Sequence, residues 1–226
     1  TFIHLLMNLM VNQKALNVTQ INESISYLKQ GNLVVFPTDT LYGIAVDPAN
    51  EQAVKRLIDI KGRSYDQGIP LLLGDTEDAK KYTTHFNIIA QRLANSFWPG
   101  PLTLVLPSAP SISALITGGR NTIALRVPDH PVARFLASEM GGAITGTSAN
   151  KHGNENPVNV TEIRHQIGEY VDLILDGGVL SDPAASSIVE IGNDDIHILR
   201  QGVIPEERLQ KIAFDSGFID TQEASS

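Results

Sequence analysis

The chain contains no cysteine, and that absence alone removes disulfides, thiolate nucleophiles, iron–sulfur clusters and every cysteine-based zinc site. It fits a reducing compartment, and a cytoplasmic location is expected. No apolar run approaches the length of a membrane span, so no membrane association is expected. The opening "TFIHLLMNLMV" is apolar but short. It has no basic segment before it and runs into "NQKALNVTQ" rather than a small-residue cleavage site, so it does not read as a signal peptide. Also missing are G-x-x-x-x-G-K-[ST], a strand-linked G-x-G-x-x-G, G-x-S-x-G and H-E-x-x-H, which closes the common nucleotide, hydrolase and zinc routes. The six histidines are scattered without ligand spacing, and no metal site is expected from them. Basic residues are scarce: 17 Lys and Arg against 25 Asp and Glu give a formal charge of −8. That argues against a broad nucleic-acid footprint and leaves room only for a local basic pocket.

What is present describes an ordinary folded domain. Of 226 residues, 42% are hydrophobic and 19% charged, far from the composition of a disordered chain. Ile21, Ile25 and Leu28 share one face of a helix over about 22–30 that leads into the apolar strand 33–36. "NEQAVKRLIDIKGR" reads as a helix capped by Asn50 and ended by Gly62, with Lys61 and Arg63 as exposed cations at its C-terminal rim. Strands follow at "IPLLLGD", "PLTLVLP", "NTIALRV", "AITGTSAN", "VDLILDGG", "SSIVEI" and "IHILRQG". Helices follow at "NIIAQRLANSF", "HPVARFLASEM", "VNVTEIRHQIG" and after Pro205. Helices and strands alternate, and the last strands are adjacent. The expected fold is therefore α/β, a twisted open sheet of mixed parallel and antiparallel strands flanked by helices with a concave ligand cavity. Residues 1–214 are expected to form one domain and residues 215–226 a polar, mobile tail.

Polar residues cluster where apolar strands give way to loops: Thr38, Asp39, Thr40 and Tyr42 in "FPTDTLYGIAVDP", then Lys61, Arg63, Arg126, Thr147, Ser148, Asn150 and Arg200. Open α/β sheets bind ligands at strand ends, and fixed cations with hydroxyls and amides there suit an anion. Each residue also has a purely structural reading. Thr38 and Thr40 can close a turn, Arg126 can pair with Asp129, and Ser148 and Asn150 can cap. Regular alternation in "IHILRQG" sets Arg200 on the face of Ile196 and Ile198, so that only its end position lets it reach a cavity.

Seven segments, "PTDTLYGIAVDP", "KGR" at 61–63, "WPGPLTLVLP", "TIALRVPDHP", "TGTSAN", "ASSIVEI" and "ILRQG", occur in an order and spacing that resemble the YrdC/Sua family of threonylcarbamoyl-AMP synthases, from Asn22 to about Ile212. The chain looks like the short, single-domain form. It departs from many relatives in Ser64 after the K-x-R, in Gly74 where some carry histidine, and in Ser186-Ser187 where a Ser-Thr pair is common. The resemblance implies an α/β YrdC-like fold and a nucleotidyltransferase that joins L-threonine, bicarbonate and ATP into threonylcarbamoyl-AMP and pyrophosphate. The product supplies the threonylcarbamoyl group of adenosine 37 in tRNAs through downstream transferase proteins. The nucleophile then belongs to the substrate, which explains why no catalytic triad is visible.

By matching positions, the resemblance implies that Thr38, Arg126 and Ser186 hold threonine, and that Lys61, Arg63, Thr122, Gly146, Ser148, Asn150 and Arg200 face ATP. Lys61 and Arg63 act at the reacting phosphates, and Mg²⁺ bridges those phosphates. Two other readings share this sequence, an RNA-binding module and a paralogous enzyme of the same fold acting on another carbamate or acyl phosphate. The acidic balance makes RNA binding weak at most, and K-x-R with S-x-N favours the synthase over the paralog.

Overall fold

Leu33, Val34, Val35 and Phe36 are all fully buried, which a strand achieves only when both of its faces are covered. In the computed structural model, residues 18–62, 64–181 and 183–215 are described. The N-terminal stretch, Arg63 and all but the first residue of the tail lie outside them. Strand β1 (Val34–Phe36) follows helix α1 (Val18–Lys29) and pairs antiparallel with β2 (Gly43–Ala45). The intervening turn carries the Thr-Asp-Thr cluster. The sequence reading had no strand at 43–45, because three residues including a glycine give no alternation to detect.

Helix α2 (Glu51–Lys61) is capped as expected: Asn50 accepts from Gln52 and Ala53, and Gly62 ends the helix at φ 61°, a conformation that favours glycine. The remaining elements are β3 (Leu71–Leu73), α3 (Ile88–Phe97), β4 (Leu102–Pro107), the single turn α4 (Ala114–Thr117), β5 (Thr122–Arg126), α5 (Pro131–Glu139) and β6 (Ala143–Thr145), then β7 (Thr147–Ser148), α6 (Val160–Ile167), β8 (Leu173–Ile174), β9 (Ser187–Ile191), β10 (Ile196–Arg200) and α7 (Glu206–Ala213). A 3₁₀ segment over Thr76–Lys81 and α4 have too few turns to show helical periodicity in the sequence.

The strands form two hydrogen-bonded groups, both mixed: β7-β2-β1-β8 and β10-β9-β4-β5-β3-β6. The chain passes from one to the other across Gly146. Thr145 bridges the groups, its backbone N–H donating to the Val46 carbonyl at 3.2 Å and its hydroxyl accepting from the Val46 N–H at 2.9 Å.

One face of the six-stranded group, with Leu71, Leu73, Leu102, Leu104, Ile123, Leu125 and Val189, belongs to the main core. The opposite face carries a different row. Leu72 pairs with Arg126, Thr103 with Ile188, and Ile188 with Arg200. Thr103 and Arg126 lie side by side, one step beyond the Leu104–Leu125 pair. Leu72, Arg126, Thr103, Ile188 and Arg200 thus form one line across five strands.

Candidate active site

That line is the floor of a cavity of about 290 Å³. Its opposite wall comes from the four-stranded group: Thr38, Thr40, Leu41, Tyr42 and Gly43 from the β1–β2 connection, and Gly146, Thr147 and Ser148 from the crossover. The cavity therefore lies between the two sheets.

Arg126 is 5% exposed and anchored on three sides. Its Nε donates to the Gly100 carbonyl at 2.9 Å, Nη1 to Thr40 Oγ1 at 2.8 Å, and Nη2 to Asp39 Oδ1 at 2.5 Å. Its structural partner is thus Asp39, not Asp129. Burial pulls the guanidinium pKa down, and the Asp39 carboxylate opposes that shift. Gly100 belongs to the loop after α3, where Trp98 Nε1 donates to the Leu102 carbonyl at 2.7 Å and fixes the turn.

Arg200 reaches the same cavity by a route that regular alternation does not provide. The ladder shifts between Ile198, opposite Val189, and Arg200, opposite Ile188. Leu199 is the extra residue of a bulge, and the bulge moves Arg200 off the core face onto the face of Ile188. There its Nε and Nη2 donate to the Ser186 carbonyl at 3.0 and 2.8 Å, and Nη2 also donates to Ser186 Oγ at 3.0 Å. Burial and then the neighbouring Arg126 both lower its pKa. Two like charges held in one cavity favour an anion between them.

Thr38 lines the cavity, but its hydroxyl is engaged within its own turn. It donates to the Leu41 carbonyl at 2.6 Å and accepts from the N–H groups of Thr40 and Leu41 at 3.1 Å. Tyr42 stitches that turn to the loop after β8, donating to the Gly178 carbonyl at 2.7 Å and accepting from the Gly177 N–H at 2.9 Å.

Lys61 differs from its expected exposure, for it is 4% exposed. Its Nζ donates to the carbonyls of Ser148 and Asn150 at 2.7 and 2.5 Å and to Asn150 Oδ1 at 2.7 Å. Ser148 Oγ also donates to Asn150 Oδ1 at 2.7 Å. The helix end points inward because the 148–150 loop supplies neutral acceptors, which hold a cation more firmly than water at a dipole end would.

Arg63 lies outside the described residues. Thr122 shares the cavity face of β5 with Arg126 but sits at the other end of the strand, about 13 Å along it at about 3.3 Å per residue. Thr103 and Asn156 line the cavity and were not singled out from the sequence. The signal for Thr103 was its place in "WPGPLTLVLP", an inward hydroxyl in an otherwise apolar strand.

Gly146 packs directly against Leu72. A Cβ there would stand 2.3 Å from Leu72 Cγ. Among the described residues no histidine, aspartate or glutamate hydrogen-bonds to the hydroxyls on the cavity floor, so none is arranged as a nucleophile with its base.

The fold is an α/β domain with a cavity between two sheets, whose two guanidiniums and hydroxyls suit small anionic molecules. The family model Sua5/YciO/YrdC, described as telomere recombination, matches residues 26–202. A threonylcarbamoyl-AMP synthase of Vibrio vulnificus is 37% identical over 187 residues, covering 82% of this chain and 100% of that protein. The structure of Pyrococcus abyssi Sua5 complexed with L-threonine superimposes with a TM-score of 0.81 at 32% identity over 85% of this chain, which spans 56% of that one. Escherichia coli YciO gives 0.76 at 26% identity, covering 84% of this chain and 92% of that one. The chain belongs to the Sua5/YciO/YrdC family.

Proposed function

We propose that this chain is a threonylcarbamoyl-AMP synthase, a nucleotidyltransferase that converts L-threonine, bicarbonate and ATP into threonylcarbamoyl-AMP and pyrophosphate. The observation that carries this reading is the match to the whole length of the Vibrio synthase. The cavity supports it, offering two guanidiniums, a hydroxyl pair and no activated nucleophile.

In the reaction the ammonium of threonine gives up two protons, one of which leaves with the hydroxyl of bicarbonate as water, and the amine captures the carbon dioxide so released as a carbamate. A carbamate oxygen then attacks the α-phosphorus, the α–β phosphoanhydride bond breaks, and pyrophosphate leaves. The work left to the protein is positioning and charge stabilisation. Arg126 and Ser186 hold the threonine carboxylate or hydroxyl, and Thr38 shapes the turn that closes over it. Arg200, Ser148, Arg63, Gly146 and Thr122 face the ATP side, and Lys61 and Asn150 brace the loop that carries Ser148.

The cavity face of β5, from Arg126 to Thr122, gives an extended nucleotide a track about 13 Å long. Among the described residues no three carboxylates or imidazoles converge on one point. Mg²⁺ would enter as a companion of the triphosphate and would neutralise its charge. No helix of the described residues is long and apolar enough to cross a membrane, and we place the reaction in the cytoplasm, where tRNA threonylcarbamoyltransferase proteins consume the product.

The test is incubation with labelled ATP, with threonine and bicarbonate omitted in turn. Pyrophosphate release and the mass of threonylcarbamoyl-AMP are expected only with both present. ATP cleavage that ignores threonine would falsify the synthase assignment.

A further inference from the structure

Thr103 is 3% exposed, lies between Arg126 and Ile188 on the cavity floor, and carries a hydroxyl in a strand whose other residues are apolar. Its Oγ1 is 2.9 Å from Ser186 Oγ, and it has no other hydrogen-bond partner among the described residues. Ser186 Oγ also accepts from Arg200 Nη2 at 3.0 Å.

A guanidinium can only donate, so that contact uses a hydrogen of Arg200 and none of the serine's. The two hydroxyls bring two hydrogens of their own and share one hydrogen bond. One hydroxyl hydrogen is therefore left without an acceptor in the protein, whichever partner donates to the other. Both side chains line the cavity, so the spare hydrogen has the cavity's contents as its acceptor. Arg200 withdraws density from Ser186 Oγ and makes the pair a better donor. The pair sits between two cations, Arg126 and Arg200, where an anionic oxygen is stabilised and an ammonium is repelled.

We propose that Thr103 is a further substrate-binding residue. Together with Ser186 it presents a single polarised O–H to an anionic oxygen of the amino-acid substrate held by Arg126, with Arg200 polarising Ser186 from the ATP side. This inference rests on the synthase reading, since it takes threonine as the acceptor.

The test is to measure threonine and ATP dissociation constants by calorimetry, and KM for each in steady-state turnover, for wild type, Thr103→Val and Thr103→Ser. Valine keeps the branched shape and removes the hydroxyl, whereas serine keeps the hydroxyl. Threonine binding in Thr103→Val is expected to weaken about ten- to hundredfold, the usual scale for a hydrogen bond to a charged group. ATP affinity should stay within about twofold, and Thr103→Ser should recover most of the loss.

Unchanged threonine affinity in Thr103→Val, or equal loss in valine and serine, would overturn the assignment while the synthase reading stands on the active wild type. A wild type that neither binds nor consumes threonine would overturn the synthase reading and this inference together. If the valine variant does not fold, Thr103→Ala removes the same hydroxyl without added bulk and is read by the same criteria.

Discussion

Lys61 and Arg126 are both buried cations, 4% and 5% exposed, one behind the cavity-lining Ser148 and the other on the cavity floor, yet they are used in opposite ways. The ammonium has three donors, and the 148–150 loop supplies acceptors for all of them at 2.7, 2.5 and 2.7 Å. The guanidinium has five, of which Gly100, Thr40 and Asp39 hold three. Arg126 can therefore be locked in place and still present N–H groups to a ligand, whereas Lys61 holds its own loop together. A fixed positive charge becomes a binding group only when its donors outnumber the acceptors that anchor it.

The sharpest way to break this contrast is Arg126→Lys, which keeps the charge and removes the planar fork. We expect kcat/KM for threonine to fall about a hundredfold or more, on the scale of about 2.7–4 kcal/mol for a preorganised donor at a transition state. Steady-state kinetics decide it, and activity near that of wild type would mean that the anchoring by Asp39 and Thr40 has no catalytic use.

Next in size is Lys61→Met. It leaves buried carbonyls of Ser148 and Asn150 without their donor, at a cost of about 2–3 kcal/mol. For a chain of this size that lowers the melting temperature by about 4–12 °C. An unchanged melting curve with collapsed turnover would show that Lys61 leaves its loop to reach the ligand, and the two cations would then be alike.

The contrast also marks what the sequence could and could not reveal. Buried strands at 33–36, 71–73 and 102–107 were legible because an apolar run bounded by turn residues has few other uses. Arg126 and Arg200 were legible as site candidates because they end strands, and Ser186 only through the family resemblance. Three features depend on non-local pairing and leave no local trace. The order β10-β9-β4-β5-β3-β6 sets Thr103 beside Arg126. The bulge at Leu199 turns Arg200 away from Ile198. The acceptors that draw Lys61 inward lie 87 and 89 residues further along the chain. The hydroxyl of Thr38 shows the converse, a local turn that is plain in the pattern Thr-Asp-Thr and that occupies the group proposed for binding.

His130, at the N-terminus of α5, extends the comparison to pH. It is 7% exposed, its Nδ1 lacks a hydrogen-bond partner, and burial pushes its pKa from 6.5 down to about 4, with the Asp39 carboxylate opposing the shift. The unfolded chain therefore binds a proton first. Stability from the neutral imidazole is complete above pH 6.5 and is lost as pH falls toward 4, amounting to about 2 kcal/mol by pH 5. Urea midpoints for wild type and His130→Gln should converge or cross as pH drops from 7.5 to 5, because the variant lacks this titration. Parallel pH profiles would place the imidazole in contact with solvent.

Gly146 tests the smallest difference, between a backbone kept bare for a ligand and one kept bare for a neighbour. An added Cβ would lie 2.3 Å from Leu72 Cγ and 2.8 Å from Leu72 Cδ2, so Gly146→Ala must displace a side chain that is itself 4% exposed. Overpacking of this kind costs about 1–2 kcal/mol. Leu72→Ala removes the obstructing atoms, and if packing is the reason for the glycine, alanine at 146 should cost little in that background. The two substitutions would then show strong coupling in a double-mutant cycle of melting temperatures. ATP affinity separates the alternatives. If the bare backbone serves the nucleotide, Gly146→Ala weakens ATP binding equally with Leu72 present or truncated, and if it serves Leu72, ATP binding recovers along with stability once the leucine is cut back.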